Sequence, residues 1–266
     1  MVQVVNKNTF STTYKDDYAD SDGYYRILFN SGRKLQAREL TQMQTILQKQ
    51  IERMGNNIFQ DNSVIKAAAT QVDNNFQFIR LNTTNEPVSD PQSLVGAQYT
   101  GISSNVIFRV DKVVAQGTNA VTDPLTLYGT YVSTENSSAD AGSQITATAN
   151  EVMTASGLPN VRVENSSAAT GFGSRFLCDE GIYYSKGFFI FTDKQELIIS
   201  KYTNSPSTVV GFKRIDEVVT TADDTALFDN QGSTPNITAP GADRYRIRLE
   251  LVEEKNINSN DTFILL

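Results

Sequence analysis

The chain of 266 residues has no histidine, no tryptophan and a single cysteine. Without histidine there can be no Cys–His pair, no Ser–His–Asp triad and no histidine-bound zinc. One cysteine closes no disulfide within the chain. Cys178 lies between Leu177 and Asp179 at the start of an apolar stretch and reads as a small buried residue rather than a nucleophile. No apolar run approaches the length of a membrane span. The opening MVQVVNKNTFSTTYKDD lacks the apolar segment of a secretion signal, so the expected place of synthesis is the cytosol. Positive charge is also scarce. Lys and Arg number 23 against 30 Asp and Glu, a net charge of −7. The cations form no patch, and the clearest local groups are two trios, Arg33, Lys34 and Arg38, then Arg244, Arg246 and Arg248. A phosphate backbone asks for a basic patch or stripe, so no nucleic-acid partner is expected. The second trio alternates along a predicted strand and shares one face. That face is either solvated or meets an acidic partner.

Catalytic groups are equally thin. Gly171-Phe172-Gly173 lacks the third glycine and the following helix of a phosphate loop. Asp179-Glu180 and Asp223-Asp224 are acidic pairs of the kind a glycosidase needs, but adjacent strand residues face opposite ways. Asp16, Asp17, Asp20 and Asp22 run up to Gly23. Placing Gly23 at the turn of a calcium loop puts Tyr18 and Phe29 at its first and last ligand positions, and neither can serve. No catalytic, cofactor-binding or metal site is assigned, and no cofactor is expected.

What the chain does have is one long helical signal. Leu40, Met43, Leu47, Ile51 and Met54 recur by three or four and lie on one face, widened by Ile46. The helix is predicted over Gln36–Met54, with Gly55 as a left-handed cap and Arg53 in the last turn. Gln42, Gln48, Lys49 and Glu52 take the opposite face. Gln50 falls near a heptad seam, where a buried amide would need a polar partner, on this chain or another. The periodicity leaves two outcomes open: the apolar face packs on its own domain, or it meets copies or neighbours in an assembly.

Elsewhere the pattern is β. The expected fold is α+β but mostly β: an extended N-terminal arm, one long amphipathic helix, then antiparallel β-rich modules. The expected division is 1–63 as arm and helix, 64–92 as linking strands, 93–176 as a small inserted β-module and 177–266 as a C-terminal β-domain that could continue further. Lys186-Gly187 reads as a hairpin turn inside the most aromatic stretch, Tyr183 to Phe191. Asn230–Arg244 is polar and aperiodic and reads as an interface loop, with Asp243 and Arg244 as a possible ion pair. The arm has few large apolar residues, so ordering Val2, Val4, Val5 and Phe10 needs something outside the chain to bury them, and the arm and the Asn230–Arg244 loop are expected to make intermolecular contacts. The apolar end, Thr262–Leu266, needs a strand partner.

The stretch YYRILFNSGRKLQARELTQMQTILQKQIERMGNNIF, Tyr24–Phe59, resembles the opening segment of a family of virion structural proteins of tailed bacteriophages. The segment DDTALFDNQGSTPNITAPGADRYRIRLEL, Asp223–Leu251, resembles a later part of the same family, in the same order. Thr83–Ser174 carries no such resemblance. The likeness implies a baseplate-wedge or tail-fibre-anchoring protein of the virion. It implies docking through the N-terminal part onto other tail proteins and copies of itself, with at most an indirect link to a host receptor. The alternative is a receptor- or carbohydrate-binding tail module. Polar loops and the Tyr and Phe content would permit that, and the lack of tryptophan weakens it. The interface candidates are Val2, Val4, Val5, Phe10, Leu40, Met43, Leu47, Gln50, Ile51, Met54, Asp243 and Arg244.

Overall fold

The computed structural model describes residues 3–4, 9–134, 146–229 and 236–266. Among them the protein is mostly β, with antiparallel sheets and a single α-helix, α1 (Ala37–Ile58). The strands preceding the aromatic hairpin are β1 (Gln3–Val4), β2 (Ser63–Ala67), β3 (Thr70–Arg80), β4 (Gln98–Gly101), β5 (Val106–Val114), β6 (Thr126–Thr134), β7 (Val152–Thr154), β8 (Val161–Arg162) and β9 (Thr170–Cys178). The hairpin is β10 (Gly181–Ser185) with β11 (Phe188–Thr192). After it come β12 (Gln195–Ser200), β13 (Val210–Val219), β14 (Phe228–Asp229), β15 (Asn236–Pro240), β16 (Arg244–Glu253) and β17 (Thr262–Leu265).

Contacts divide the chain into two compact units. One comprises Met1–Thr70, Cys178–Gln195 and Val209–Leu266, the other Gln71–Leu177 and Glu196–Thr208. These cuts differ from the sequence boundaries at 63, 92 and 176. Sequence composition sees neighbours along the chain, whereas the N-terminal arm and helix share a unit with the last sixty or so residues.

The second unit holds a sheet in the order β12-β9-β3-β6-β5-β4-β7-β8. A bridge between Leu81 and Val163, and Glu164 N donating to Arg80 O at 2.9 Å, join the end of β3 to β8. The strands from β3 round to β8 therefore close about a dry core that includes Ile79, Leu81, Tyr99, Phe108, Leu127 and Met153. Alternate residues of β5 supply it: Val106, Phe108 and Val110 are fully buried, while Arg109 and Asp111 face out. That is the period-two pattern of a half-buried strand.

The first unit is built on β13. β16 runs antiparallel along its whole length, from Val210↔Glu253 to Val219↔Arg244. The other edge of β13 is shared: β17 pairs with its first half, Gly211↔Leu265 to Arg214↔Thr262, and β1 with its second, Gln3↔Val218 and Val4↔Glu217. The apolar end strand thus finds its partner within the chain, and Ile264 is fully buried. A second sheet, β11-β10-β2, carries the expected hairpin. Lys186 and Gly187 both have positive φ, 49° and 84°, which matches the two-residue turn their sequence suggests. Tyr183 of β10 meets Phe212 of β13 edge-on at 5.3 Å.

Two expectations change here. Val64–Ala69 is not one strand, because Ala67 and Ala68 both turn left-handed, with φ of 55° and 63°. Residues 236–240 of the expected interface loop form β15 against β14. A pairing only two residues long on one side leaves no periodic trace. Residues 230–235, and Val2 and Val5 of the arm, lie outside the described residues. An L-residue in the left-handed region costs about 1–2 kcal/mol, and glycine gives back part of that through chain entropy. Ala67→Gly, at an exposed site, is therefore expected to stabilise the first unit by about 0.5–1 kcal/mol, read as a higher denaturation midpoint at unchanged slope.

Candidate assembly surface

The helix starts without a Ser, Thr, Asp or Asn cap. Gln36 takes the role reciprocally: Glu39 N donates toward it, and Gln36 N donates to Glu39 Oε2 at 2.9 Å. The helix then runs straight through Gly55 to Ile58, and Phe59 leaves in an extended conformation. Gly55 is therefore not the predicted cap, and no cation lies in the last turn. Its role is close approach. A Cβ there would sit 2.5 Å from the Tyr184 ring.

The larger correction concerns the faces. The side of α1 that packs on its own unit is the polar one. Gln48 Nε2 donates to Gly187 O at 2.6 Å, and Tyr184 Oη donates to Asn56 Oδ1 at 2.7 Å. Thr45 donates to Asp16, Gln42 to Asp17 at 3.3 Å, Arg38 pairs with Asp17 at 3.1 Å and Arg53 with Asp20 at 2.8 Å. The acidic run of the arm is thus a set of clamps along the helix. Among the described residues no group of three or more His, Cys, Asp or Glu side chains is placed to hold a metal ion. Ile46, 2% exposed, is the one large apolar side chain of α1 that is fully covered.

The apolar stripe points outward. Leu40 is 39% exposed, Leu47 58%, Ile51 46%, Met54 67% and Ile58 59%. Met43 is half-buried and Gln50 exposed. Leu47 and Ile51 are therefore not buried within this chain, and Gln50 makes no core hydrogen bond. The polar side chains found closer hydrogen-bonding partners in the hairpin and arm than the aliphatic ones found cover.

The arm is held by its own chain as well. β1 adds to β13, with Val4 opposite Glu217. Phe10 meets the ring of Tyr245 edge-on at 5.2 Å, and Tyr14 Oη donates to Asp243 Oδ2 at 2.7 Å. Burial, then the Asp243 hydrogen bond, push the Tyr14 phenol up to about 12. Phe10, Tyr14, Leu40, Gln44, Asp243 and Tyr245 line a cavity of about 740 Å³. Three sequence candidates, Phe10, Leu40 and Asp243, are brought together there. Arg244 does not pair with the Asp243 carboxylate: Nη1 donates instead to backbone oxygens, Ala242 O at 2.6 Å and Asp243 O at 3.3 Å.

Of the two outcomes left open for the arginine strand, Arg246 and Arg248 meet an acidic partner, and it is internal. Arg246 and Arg248 of β16 both donate to Glu217 Oε1 of β13, at 2.5 and 2.8 Å. Burial of Glu217 opposes ionisation, but the hydrogen bonds and charges of Arg248 and Arg246 outweigh it and hold the carboxyl below its usual range. Next to it Arg214, whose side chain is 3% exposed, makes a bidentate pair with Asp216, at 2.9 Å (Nε to Oδ2) and 2.7 Å (Nη2 to Oδ1). Its Nη1 reaches Ser185 O in the hairpin at 2.7 Å, and Tyr245 Oη also donates to Asp216. Sequence reasoning missed Gly55, Tyr184, Arg214 and Asp216. The only signal was a glycine inside an apolar helical repeat and an Arg-x-Asp alternation on one strand face.

Cys178 is fully buried, 3.8 Å from Tyr183 Oη, and burial raises its thiol. No helix among the described residues is long and apolar enough to cross a membrane. Neither the curated proteins nor the solved structures gave a match. Residues 12–85, which carry the later part of the arm and all of α1, β2 and β3, match a family model described as a domain of unknown function, DUF4815.

Proposed function

We propose that this chain is a structural component of the tail or baseplate of a tailed phage, a wedge or fibre-anchoring protein. It acts through contacts with other tail proteins and with copies of itself, and is made in the host cytoplasm before joining the virion. The observation that carries this reading is the inverted helix. A stripe of five large aliphatic side chains faces outward from α1 while the polar side does the internal docking. Exposed apolar groups gathered on one rigid element mark contact surfaces rather than ordinary solvated helices. Tyr24, Tyr25, Leu28, Phe29 and Leu35, all exposed, add apolar groups in the segment leading into the helix. Two separated sequence resemblances to tailed-phage virion proteins supply the setting. Particles purified from lysed cells that carry this gene are expected to contain the chain at fixed stoichiometry, located by electron microscopy in the tail. Its complete absence from washed particles would overturn the proposal.

A further inference from the structure

The outward stripe of α1 has a period that the sequence reading did not register. Leu40, Gln44, Leu47, Ile51, Met54 and Ile58 follow one another by 4, 3, 4, 3 and 4 residues. That is an unbroken alternation of coiled-coil seam positions, with Gln44, Ile51 and Ile58 at a and Leu40, Leu47 and Met54 at d. All six are exposed. Gln50, which the sequence placed near the seam, flanks it.

We infer that α1 pairs through this seam with α1 of a second copy of the chain, in parallel and in register. The inference rests on the reading of α1 as a contact face and names what covers it. Three observations select a second copy over an unrelated helix. The a positions of the exposed turns carry β-branched isoleucine and the d positions leucine and methionine, the arrangement that favours two parallel strands. The flanking positions are Met43, Gln50 and Asn57 on one side and Thr41, Gln48 and Gly55 on the other, of which Gln48 and Gly55 also touch the chain's own hairpin. None is charged, so identical helices meet without like-charge repulsion, and no charge is there to select a different partner. Gln44 is the one polar residue in the seam. A second copy in parallel register brings an amide to the same level by symmetry and satisfies it. The hairpin and the arm hold α1 through Thr45, Gln48, Glu52 and Arg53, and the arm also shares a cavity with Leu40 and Gln44, so the part of the seam clear of both runs from Leu47 to Ile58.

The test is sedimentation of the full chain over roughly three decades of concentration, together with oxidative cross-linking. The wild type is expected to pass from monomer to dimer. Ile51→Glu, which sets two carboxylates against each other across the pair, is expected to weaken association at least tenfold. Its circular dichroism should stay unchanged, since Ile51 is exposed in the monomer. In a parallel pair the two d positions at 47 meet, so Leu47→Cys is expected to cross-link into a dimer. Lys66→Cys, exposed on β2, should not, and the native Cys178 is buried and silent. A chain that stays monomeric throughout, or one whose dimer ignores Ile51→Glu, overturns the inference. So does a Leu47→Cys that cross-links no faster than Lys66→Cys. If the chain is monomeric but Ile51→Glu is lost from particles, the face belongs to a different protein. The self-pairing then fails and the structural role stands. If the dimer forms but the chain is absent from particles, the reverse holds.

Discussion

Asp216→Ala is expected to destabilise the first unit by about 3–5 kcal/mol. The side chain of Arg214 is 3% exposed and has its guanidinium fixed by Asp216 on one side and Ser185 O on the other. Removing the carboxylate leaves a buried cation with the Ser185 carbonyl, the Tyr245 hydroxyl at 3.5 Å and the Phe188 ring at 5.5 Å but no counter-charge, and leaves Tyr245 Oη without its acceptor. The loss is the desolvation of an unpaired charge, not the modest net value of the pair. Hence Arg214→Met combined with Asp216→Leu is expected to cost clearly less than Asp216→Ala alone. Denaturant unfolding followed by the fluorescence of the tyrosines would show it as a lower midpoint for one of two transitions, the first unit moving and the second not. A loss below about 1 kcal/mol would show the pair to be solvated.

The same pair sets a pH dependence with a definite sign. Burial alone would raise the Asp216 carboxyl, but Arg214 and Tyr245 overcome this and lower it below the ordinary aspartate value. A lowered folded pKa contributes stability that is fully present above the unfolded value, about 3.9, and is lost as pH falls through the folded one. Glu217, lowered by Arg248 and Arg246, acts in the same direction. Acid loosening of the first unit therefore begins below about pH 4 and is reduced in Asp216→Ala.

The second large effect is expected at Gly55. Helix propensity alone makes Gly55→Ala favourable by about 1 kcal/mol. The structure opposes this, because the new methyl would lie 2.5 Å from the ring and hydroxyl of Tyr184, a fully buried side chain tied to Asn56. Overfilling a packed site by a methylene costs about 1–3 kcal/mol, so the alanine is expected to be neutral or worse. Gly55→Leu, with nowhere to place four carbons, is expected to detach α1 from the hairpin. Amide exchange would then be fast along α1 while β13 and β16 stay protected. If Gly55→Leu leaves α1 protected, Tyr184 is free to rotate away and the close approach is not a constraint.

The kind of each element was legible in the sequence where a period was strong. Leu40 to Met54 repeat by three and four, and β5 alternates, so helix and strand follow from spacing alone. The Lys186-Gly187 turn carried its own chemistry. The direction in which α1 faces was not legible. A periodic stripe marks an axis across the helix, and the rest of the protein can lie on either side. Here the deciding groups are the carbonyl of Gly187, the ring of Tyr184 and the arm carboxylates of Asp16, Asp17 and Asp20, all distant in sequence or unremarkable in it. Gly55 misled for a related reason. Glycine serves both an αL cap and a close contact, and only the position of Tyr184, well over a hundred residues on, distinguishes them. The ion pair of Arg214 and Asp216 was equally hidden, since an alternating polar strand face usually meets water. The unit boundaries could not be read because β1 and β17 join one edge of β13 from opposite ends of the chain.

That shared edge bears on how the chain is made. β13 begins at Val210, some 140 residues after α1 and β2 are complete. At roughly 5–20 residues per second, the ribosome needs about 7–30 seconds to deliver it. The hairpin that receives Gly55 comes only slightly earlier. For most of that interval α1 lacks the tyrosine on which it will rest, and most helical stability in proteins comes from such packing rather than from propensity. Its aliphatic stripe has nevertheless already been synthesised. The order of synthesis thus gives like chains an opportunity to meet before each has closed on itself.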